Sequence, residues 1–183
     1  MVPWRQGLRT GTGFGGRLAV DFVNTLRKRW RRRVECLPRP SDLAEWLVQA
    51  GLLDRPAPVS ADVLIQARSL REAIDAAIVA TVAQQRPPAE ATEEIDTWLP
   101  RVLSVPRLRR GPAEVVLREE HEPDPILRAL GGLALDAATM LGTAERDRLR
   151  ICAGECSARL YDRSPAGRRS WCSMRTCGNV AKA

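Results

Sequence analysis

Four cysteines toward the carboxyl end of the chain have the spacing of a metal site. Cys152 and Cys156 are separated by three residues, Cys172 and Cys177 by four, and fifteen residues lie between the two pairs. Four thiolates from two such pairs can converge on one tetrahedral ion, and zinc suits four sulfur ligands that face no redox demand. Ordinary buried thiols, or two disulfides in an exported protein, are the alternatives. Because four of the five cysteines fall within 26 residues, we favour one structural Zn²⁺.

The same ligand set argues against catalysis. A catalytic zinc keeps an open coordination position and has a general base nearby, whereas four cysteines close the shell. The only histidine, His121, is distant in sequence from the cysteines, and Cys36 has no partner cysteine close by. We therefore expect a protein that is not an enzyme.

The segment that carries the cysteines, residues 143–183, predicts a small ββα zinc module of treble-clef type. "RLRIC" can pair with "ARLYDRS", residues 165–167 form a turn, and a helix can start at the second cysteine pair. Its apolar residues are too few to fold unaided, so we expect metal binding to supply most of its folding free energy, on the order of 10 kcal/mol. A polar joint at residues 143–148 places the domain boundary there.

Residues 1–142 predict a mainly α domain with one small β-hairpin. Apolar residues at helical spacing predict four helices and a shorter one that begins at Leu18 and gives way to the basic run 27–33. Ser41 and Asp124 are the expected N-caps, and the longest helix is expected to follow Ser60. Pro100 is expected to kink one helix, and residues 107–119 fit a hairpin around Gly111.

The charge is unevenly placed along the chain. Of a net +7, residues 1–33 carry +8, residues 34–142 carry −6 and residues 143–183 carry +5. Basic ends around an acidic body suggest contact with a polyanion, nucleic acid first, although an Arg-rich surface is the plainer alternative. No stretch is apolar enough to span a bilayer and no secretory leader is visible, so we expect a cytoplasmic protein that does not enter the membrane.

Two sequence strings resemble a known family. "RRSWCSMRTCGN", residues 168–179, resembles the CGNR-type zinc finger of a bacterial family of stress-induced transcription regulators. "GGRLAVDFVNTL", residues 15–26, resembles the opening of the ABATE domain that precedes this finger in the same family. The resemblance implies a helical, ligand-sensing N-terminal domain and a zinc module that binds DNA, with the metal on the four cysteines given above. Val180 stands where the signature of the family has Arg.

The finger carries six basic residues that are candidates for phosphate contacts. They lie on the expected strand, turn and helix: Arg159, Arg163, Arg168, Arg169, Arg175 and Lys182. We therefore expect a DNA-binding transcription regulator with a structural zinc finger. The alternative is a protein-interaction adaptor in which the zinc module is only a structural or docking element.

Asp21 and Asn24 form a second, weaker candidate site on the first helix. Three residues apart, they can present a hydrogen-bonding pair to an unknown small-molecule effector. Bracing of neighbouring elements is the more frequent role of such residues. The N-terminal domain can equally serve as a homodimerisation domain.

Overall fold

A computed structural model describes residues 15–179, except for the side chains of residues 175 and 176. The helices are α1 (Leu18–Val23), α2 (Pro40–Gln49), α3 (Ala61–Val82), α4 (Ala89–Trp98) and α5 (Pro125–Gly142). Three antiparallel strand pairs are β1 (Leu26–Arg27) with β2 (Val34–Glu35), β3 (Val105–Arg110) with β4 (Val115–Glu120), and β5 (Leu149–Ile151) with β6 (Arg159–Tyr161). Short 3₁₀ turns span Leu99–Val102 and Ala144–Arg148, and a π-helical turn spans Met174–Gly178. The mainly α architecture with small β elements is confirmed.

The core forms where α5 packs against α1, α3 and α4. Ile74 of α3 and Leu130 and Leu133 of α5 are completely buried. Phe22 and Trp46 bring α1 and α2 together with their ring centroids 5.2 Å apart. Burial of each large apolar side chain contributes about 1.5 to 3 kcal/mol, so this apolar face of α5 is the main stabilising surface of the body. No helix within residues 15–179 is long and apolar enough to cross a membrane.

Side chains cap the starts of two long helices. The Asp124 carboxylate accepts the Ile126 N–H at 2.8 Å, as predicted, and the Ser60 hydroxyl accepts the Val63 N–H at 3.1 Å. The prediction of Ser41 as N-cap is wrong, since α2 already begins at Pro40. Proline suits a first helical position because its missing N–H would be unpaired there in any case.

The first helix is shorter than the apolar spacing predicts. It ends at Val23, and Leu26 belongs to β1 instead. The Thr25 hydroxyl donates to the Phe22 carbonyl at 2.6 Å, and the Cys36 N–H donates to the Thr25 carbonyl at 2.9 Å. These bonds turn the chain out of the helix and into the β1–β2 hairpin, whose loop is the basic run.

The β3–β4 hairpin is confirmed and stands away from the core. Leu108 lies opposite Leu117 across the pair, and they are 71% and 67% exposed. The expected kink at Pro100 takes the form of the 3₁₀ turn that ends α4.

The β5–β6 pair is also confirmed, but it does not stand alone. Leu149 of β5 and Tyr161 of β6 are buried in the same apolar cluster as the residues of the body. The cysteine-bearing segment from β5 onward, called the finger below, therefore has a source of stability besides metal. Its expected C-terminal helix is described only as far as Asn179, so most of it lies outside the described residues.

Candidate zinc centre and its attachment to the helical body

The four predicted cysteines meet at one point. Their sulfur atoms all lie within 4.8 Å of one another, and the Cys172 sulfur is 3.5 Å from those of Cys156 and Cys177. These separations exceed the S–S bond of about 2.05 Å, and all four thiols are free. A zinc ion with Zn–S bonds of about 2.3 Å spaces its four sulfurs about 3.8 Å apart. The donor set and its spacing therefore fit one zinc ion with a closed shell.

Backbone hydrogen bonds hold the two cysteine pairs in this arrangement. The Cys152 N–H donates to the Ala158 carbonyl at 2.8 Å, which closes the loop that carries the first pair. The Ala153 N–H donates to the Ser170 carbonyl at 2.9 Å and joins this loop to the segment before the second pair. The N–H of Cys172 then points at the Cys152 sulfur from 3.3 Å. Such an N–H favours a thiolate over a thiol, because it stabilises negative charge on sulfur.

Gly154 is required by the closeness of the loop to the second pair. A Cβ atom placed there would lie 2.9 Å from the Cys177 Cβ and 3.0 Å from its sulfur. Real side chains do not tolerate such contacts, so any other residue would force either Cys177 or the loop to shift. The loop between Cys152 and Cys156 therefore needs glycine at position 154 to bring the four sulfurs together.

The thiols influence one another's protonation. The hydrogen bond with Cys172 is the main cause that lowers the pKa of Cys156 to about 5. The hydrogen bond with Cys156 and then burial raise the pKa of Cys172, and burial is the main cause that raises the pKa of Cys177. The Cys156 thiolate is thus favoured, and those of Cys172 and Cys177 are disfavoured unless a cation balances their charge. A divalent ion would balance that charge and displace the remaining protons.

Comparison with known protein families agrees with this geometry. Residues 16–144 match the ABATE family, whose description reads "Putative stress-induced transcription regulator". The chain belongs to the ABATE family. Residues 148–183 match the CGNR zinc finger, so the resemblance of both sequence strings is confirmed. No curated protein matches the chain. The two families are regulatory and zinc-binding and not enzyme families.

The first helix of the ABATE segment is attached directly to the finger. The Asn24 amide donates to the Arg159 carbonyl at 2.9 Å and accepts the Arg159 N–H at 2.8 Å. This pair of bonds continues the edge of β6 as a neighbouring strand would. The Tyr161 N–H donates to the Gly15 carbonyl at 2.6 Å, so a second segment of the body runs beside β6.

Gly16 allows this close approach. Its φ of +85° is in the left-handed region, and a Cβ there would lie 2.7 Å from the Tyr161 carbonyl oxygen. The glycine pair that opens "GGRLAVDFVNTL" therefore serves the contact between body and finger.

The Arg159 side chain deepens the attachment and corrects one prediction. Its guanidinium forms two hydrogen bonds with the Asp75 carboxylate of α3, at 2.7 and 3.1 Å, and Arg159 is only 2% exposed. A phosphate cannot reach this buried group, so the prediction that Arg159 contacts DNA is wrong. Its role is to fasten β6 to the body.

Of the other basic residues predicted to contact DNA, two are exposed, one binds backbone carbonyls of the finger, and two lie wholly or in part outside the described residues. Arg163 and Arg168 are exposed. Arg169 is partly buried and donates to the carbonyls of Trp171 and Cys172 at 3.0 and 2.6 Å, so it braces the second cysteine pair. The side chain of Arg175, and Val180 and Lys182 entirely, lie outside the described residues.

Asp21 and Asn24 both form hydrogen bonds to other segments of the chain. An oxygen of the buried Asp21 carboxylate accepts the Gly15 N–H at 2.7 Å, which ties the start of the described chain to α1. With the Asn24 amide engaged by Arg159, both side chains hold segments together. A role of this pair in ligand binding stays a prediction.

Sequence reasoning missed Asp75 and Arg29 as parts of this attachment. The Arg29 guanidinium contacts both Glu72, at 2.5 Å, and Asp75, at 3.2 Å. The two acids lie three residues apart on α3 with only a helical pattern around them. No local signal marks Asp75 as the partner of an arginine 84 residues later.

Proposed function

We propose that the protein is a transcription regulator that binds duplex DNA through the exposed arginines of its zinc finger. The observation that carries the proposal is the turn between β6 and the second cysteine pair, which presents Arg163 and Arg168 to solvent. Neither makes an ion pair with the residues that the structure describes. Two unneutralised cations on a zinc-supported turn suit phosphate contacts, which give affinity without reading sequence. The family description and the positive charge of the tail support the same partner.

Hydrogen bonds order the turn between β6 and the second cysteine pair, which reduces the conformational entropy lost on binding DNA. The Asp162 carboxylate accepts the N–H groups of Ser164 and Arg169, at 2.9 and 2.8 Å. Arg148 donates to the carbonyls of Asp162 and Ser164, each at 3.0 Å. The side chain of Arg148 is thus used to order the turn, and those of Arg163 and Arg168 stay available for a ligand.

Fluorescence anisotropy with a labelled duplex tests this function. The double variant Arg163→Ala and Arg168→Ala removes two phosphate contacts, so the slope of log K against log salt should fall by about 1.8. At 0.1 M salt that change corresponds to up to about 60-fold weaker binding. The matched control is Arg107→Ala with Arg110→Ala, which removes two exposed cations from the β3–β4 hairpin.

Three results would contradict the proposal. One is an absence of salt-sensitive binding by the zinc-loaded protein. Another is an unchanged slope in the finger variant, and the third is an equal loss in both variants, which would assign the binding to net charge.

A protein-interaction adaptor is the second candidate, and one observation favours it. The exposed Leu108 and Leu117 form an apolar pair on a hairpin whose residues are mostly exposed. Such a pair suits contact with another protein, including a second copy of this chain. Sedimentation of the protein and of Leu108→Ser, Leu117→Ser tests it; a dimer lost in the variant supports hairpin-mediated association, and a monomer in both excludes self-association.

A further inference from the structure

The loop that connects β1 to β2 is strongly basic and exposed. This basic loop, residues 28–33, has the sequence KRWRRR and so contains five cations and one tryptophan. Lys28, Arg31, Arg32 and Arg33 are exposed, and Trp30 is 61% exposed. An exposed tryptophan amid arginines is a combination that nucleic-acid-binding surfaces use.

The basic loop lies directly against the first cysteine loop of the finger. The Arg29 N–H donates to the Ser157 hydroxyl at 2.8 Å, one residue after Cys156. The Arg31 guanidinium is 2.7 Å from the Glu155 carboxylate, one residue before that cysteine. Both sequence neighbours of the predicted zinc ligand Cys156 thus contact a loop of the ABATE segment.

Two buried arginines, Arg159 and Arg71, fix the loop at its middle and at its base. The Arg159 guanidinium lies over the Trp30 ring, 5.5 Å from its centroid, while Asp75 holds that guanidinium from behind. At the base of the hairpin, Arg71 donates to the Glu35 carboxylate at 2.7 and 2.8 Å and to the Thr25 hydroxyl at 3.2 Å. The loop is therefore positioned by the same network that fastens β6 to the body.

The charge of the loop is only partly balanced. Lys28, Arg32 and Arg33 make no ion pair with the residues that the structure describes. Arg31 is paired, but both partners are about two-thirds exposed or more, at 66% and 72%, and such surface pairs contribute only about 0 to 1 kcal/mol. Arg31 can accordingly exchange Glu155 for a phosphate at little cost.

We propose that the basic loop and the finger form one continuous surface for duplex DNA, so that the ABATE segment itself contacts the phosphate backbone. The inference rests on the proposed DNA binding and assigns it a second, separate set of contacts. Arg163 is four residues beyond Arg159, at most about 14 Å of extended chain. A duplex presents about eight phosphate charges over that length, at one per 1.7 Å. One DNA segment can therefore meet the turn of the finger and the basic loop together.

Two matched triple variants distinguish a specific contribution of the loop to DNA binding from an effect of the protein's net charge. Lys28→Ala, Arg32→Ala and Arg33→Ala remove three exposed cations from the loop, and Arg107→Ala, Arg110→Ala and Arg118→Ala remove three from the β3–β4 hairpin. Three lost phosphate contacts should lower the salt slope by about 2.7, or binding at 0.1 M salt by up to about 500-fold. The hairpin variant should retain nearly the slope of the unaltered protein, and both should retain zinc because the altered side chains are exposed.

A gain of binding provides an independent measurement that cannot be caused by misfolding. Glu155→Gln removes a negative charge from the proposed surface and releases Arg31, so it should tighten duplex binding severalfold. In the loop triple variant, the same substitution should give a smaller gain, since fewer cations remain beside the DNA.

The outcomes distinguish this inference from the proposed function. If the unaltered protein does not bind duplex DNA, both are overturned. If it binds and the finger double variant is weakened while the loop triple variant behaves as the hairpin control does, the finger acts alone and the inference is wrong. Tighter binding to a single strand than to the duplex would also overturn it, because the tryptophan would then act on unstacked bases.

Discussion

Replacing Asn24 by alanine should loosen the finger from the body without touching a metal ligand. The substitution removes two hydrogen bonds, of 2.8 and 2.9 Å, to the backbone of Arg159. Each bond contributes about 1 kcal/mol net, and each group left unpaired beside a buried residue costs about 1 to 3 kcal/mol. We therefore expect the free energy of unfolding to fall by about 2 to 4 kcal/mol. For a domain of this size that is a decrease in Tm of roughly 4 to 16 °C.

Urea denaturation of the zinc-loaded protein, followed by circular dichroism, measures this loss. Asn179→Ala is the matched control, since Asn179 is exposed and close to the same metal site. Asn24→Asp keeps the acceptor oxygen and loses the donor, so its effect should lie between the other two. A loss below about 0.5 kcal/mol for Asn24→Ala, equal to that of the control, would refute the reasoning that this amide joins the two halves of the chain.

Two further predictions concern the metal cluster. The pKa of Cys156 is lowered and burial raises that of Cys177, so protons compete with zinc for these thiolates as the pH falls. Zinc release followed with a chromophoric chelator should accordingly increase with falling pH, and a zinc affinity that does not depend on pH would contradict thiolate ligation. Gly154→Ala should weaken zinc binding at least tenfold in a competition titration, through contact with Cys177, whereas Gly142→Ala, with nothing within 4 Å of the added methyl group, should not. Equal affinities in the two variants would mean that the loop between Cys152 and Cys156 adapts to the extra carbon.

The sequence predicts well those features that depend on residues close together in the chain. The apolar spacing of α3 and α5 and the caps at Ser60 and Asp124 are encoded within a few residues of where they act. The cysteine pairs are equally local, because their chemistry requires close spacing in the chain. These features correctly predict α3, α5, the β3–β4 hairpin and the cluster of four cysteines.

Pairings between distant segments account for what the sequence could not predict. The residues that flank Arg159 in the sequence do not distinguish it from an exposed arginine. Only the fold brings Asp75 beside it. Likewise, the basic character of the run 27–33 is evident from the sequence, yet its position beside Glu155 depends on contacts 124 residues apart. The role of Asn24 follows from the same kind of long-range contact. A single sequence contains no signal for such pairs.

The most direct test of this account is the coordination of metal in the purified protein. Elemental analysis combined with X-ray absorption should find about one zinc per chain with four sulfur ligands at about 2.3 Å. Cys172→Ser should lose the metal or replace one sulfur by a lighter atom. A protein that contains no zinc, or whose zinc has mostly nitrogen or oxygen ligands, or whose four cysteines are joined as disulfides, would contradict the central claim that these thiolates build the finger.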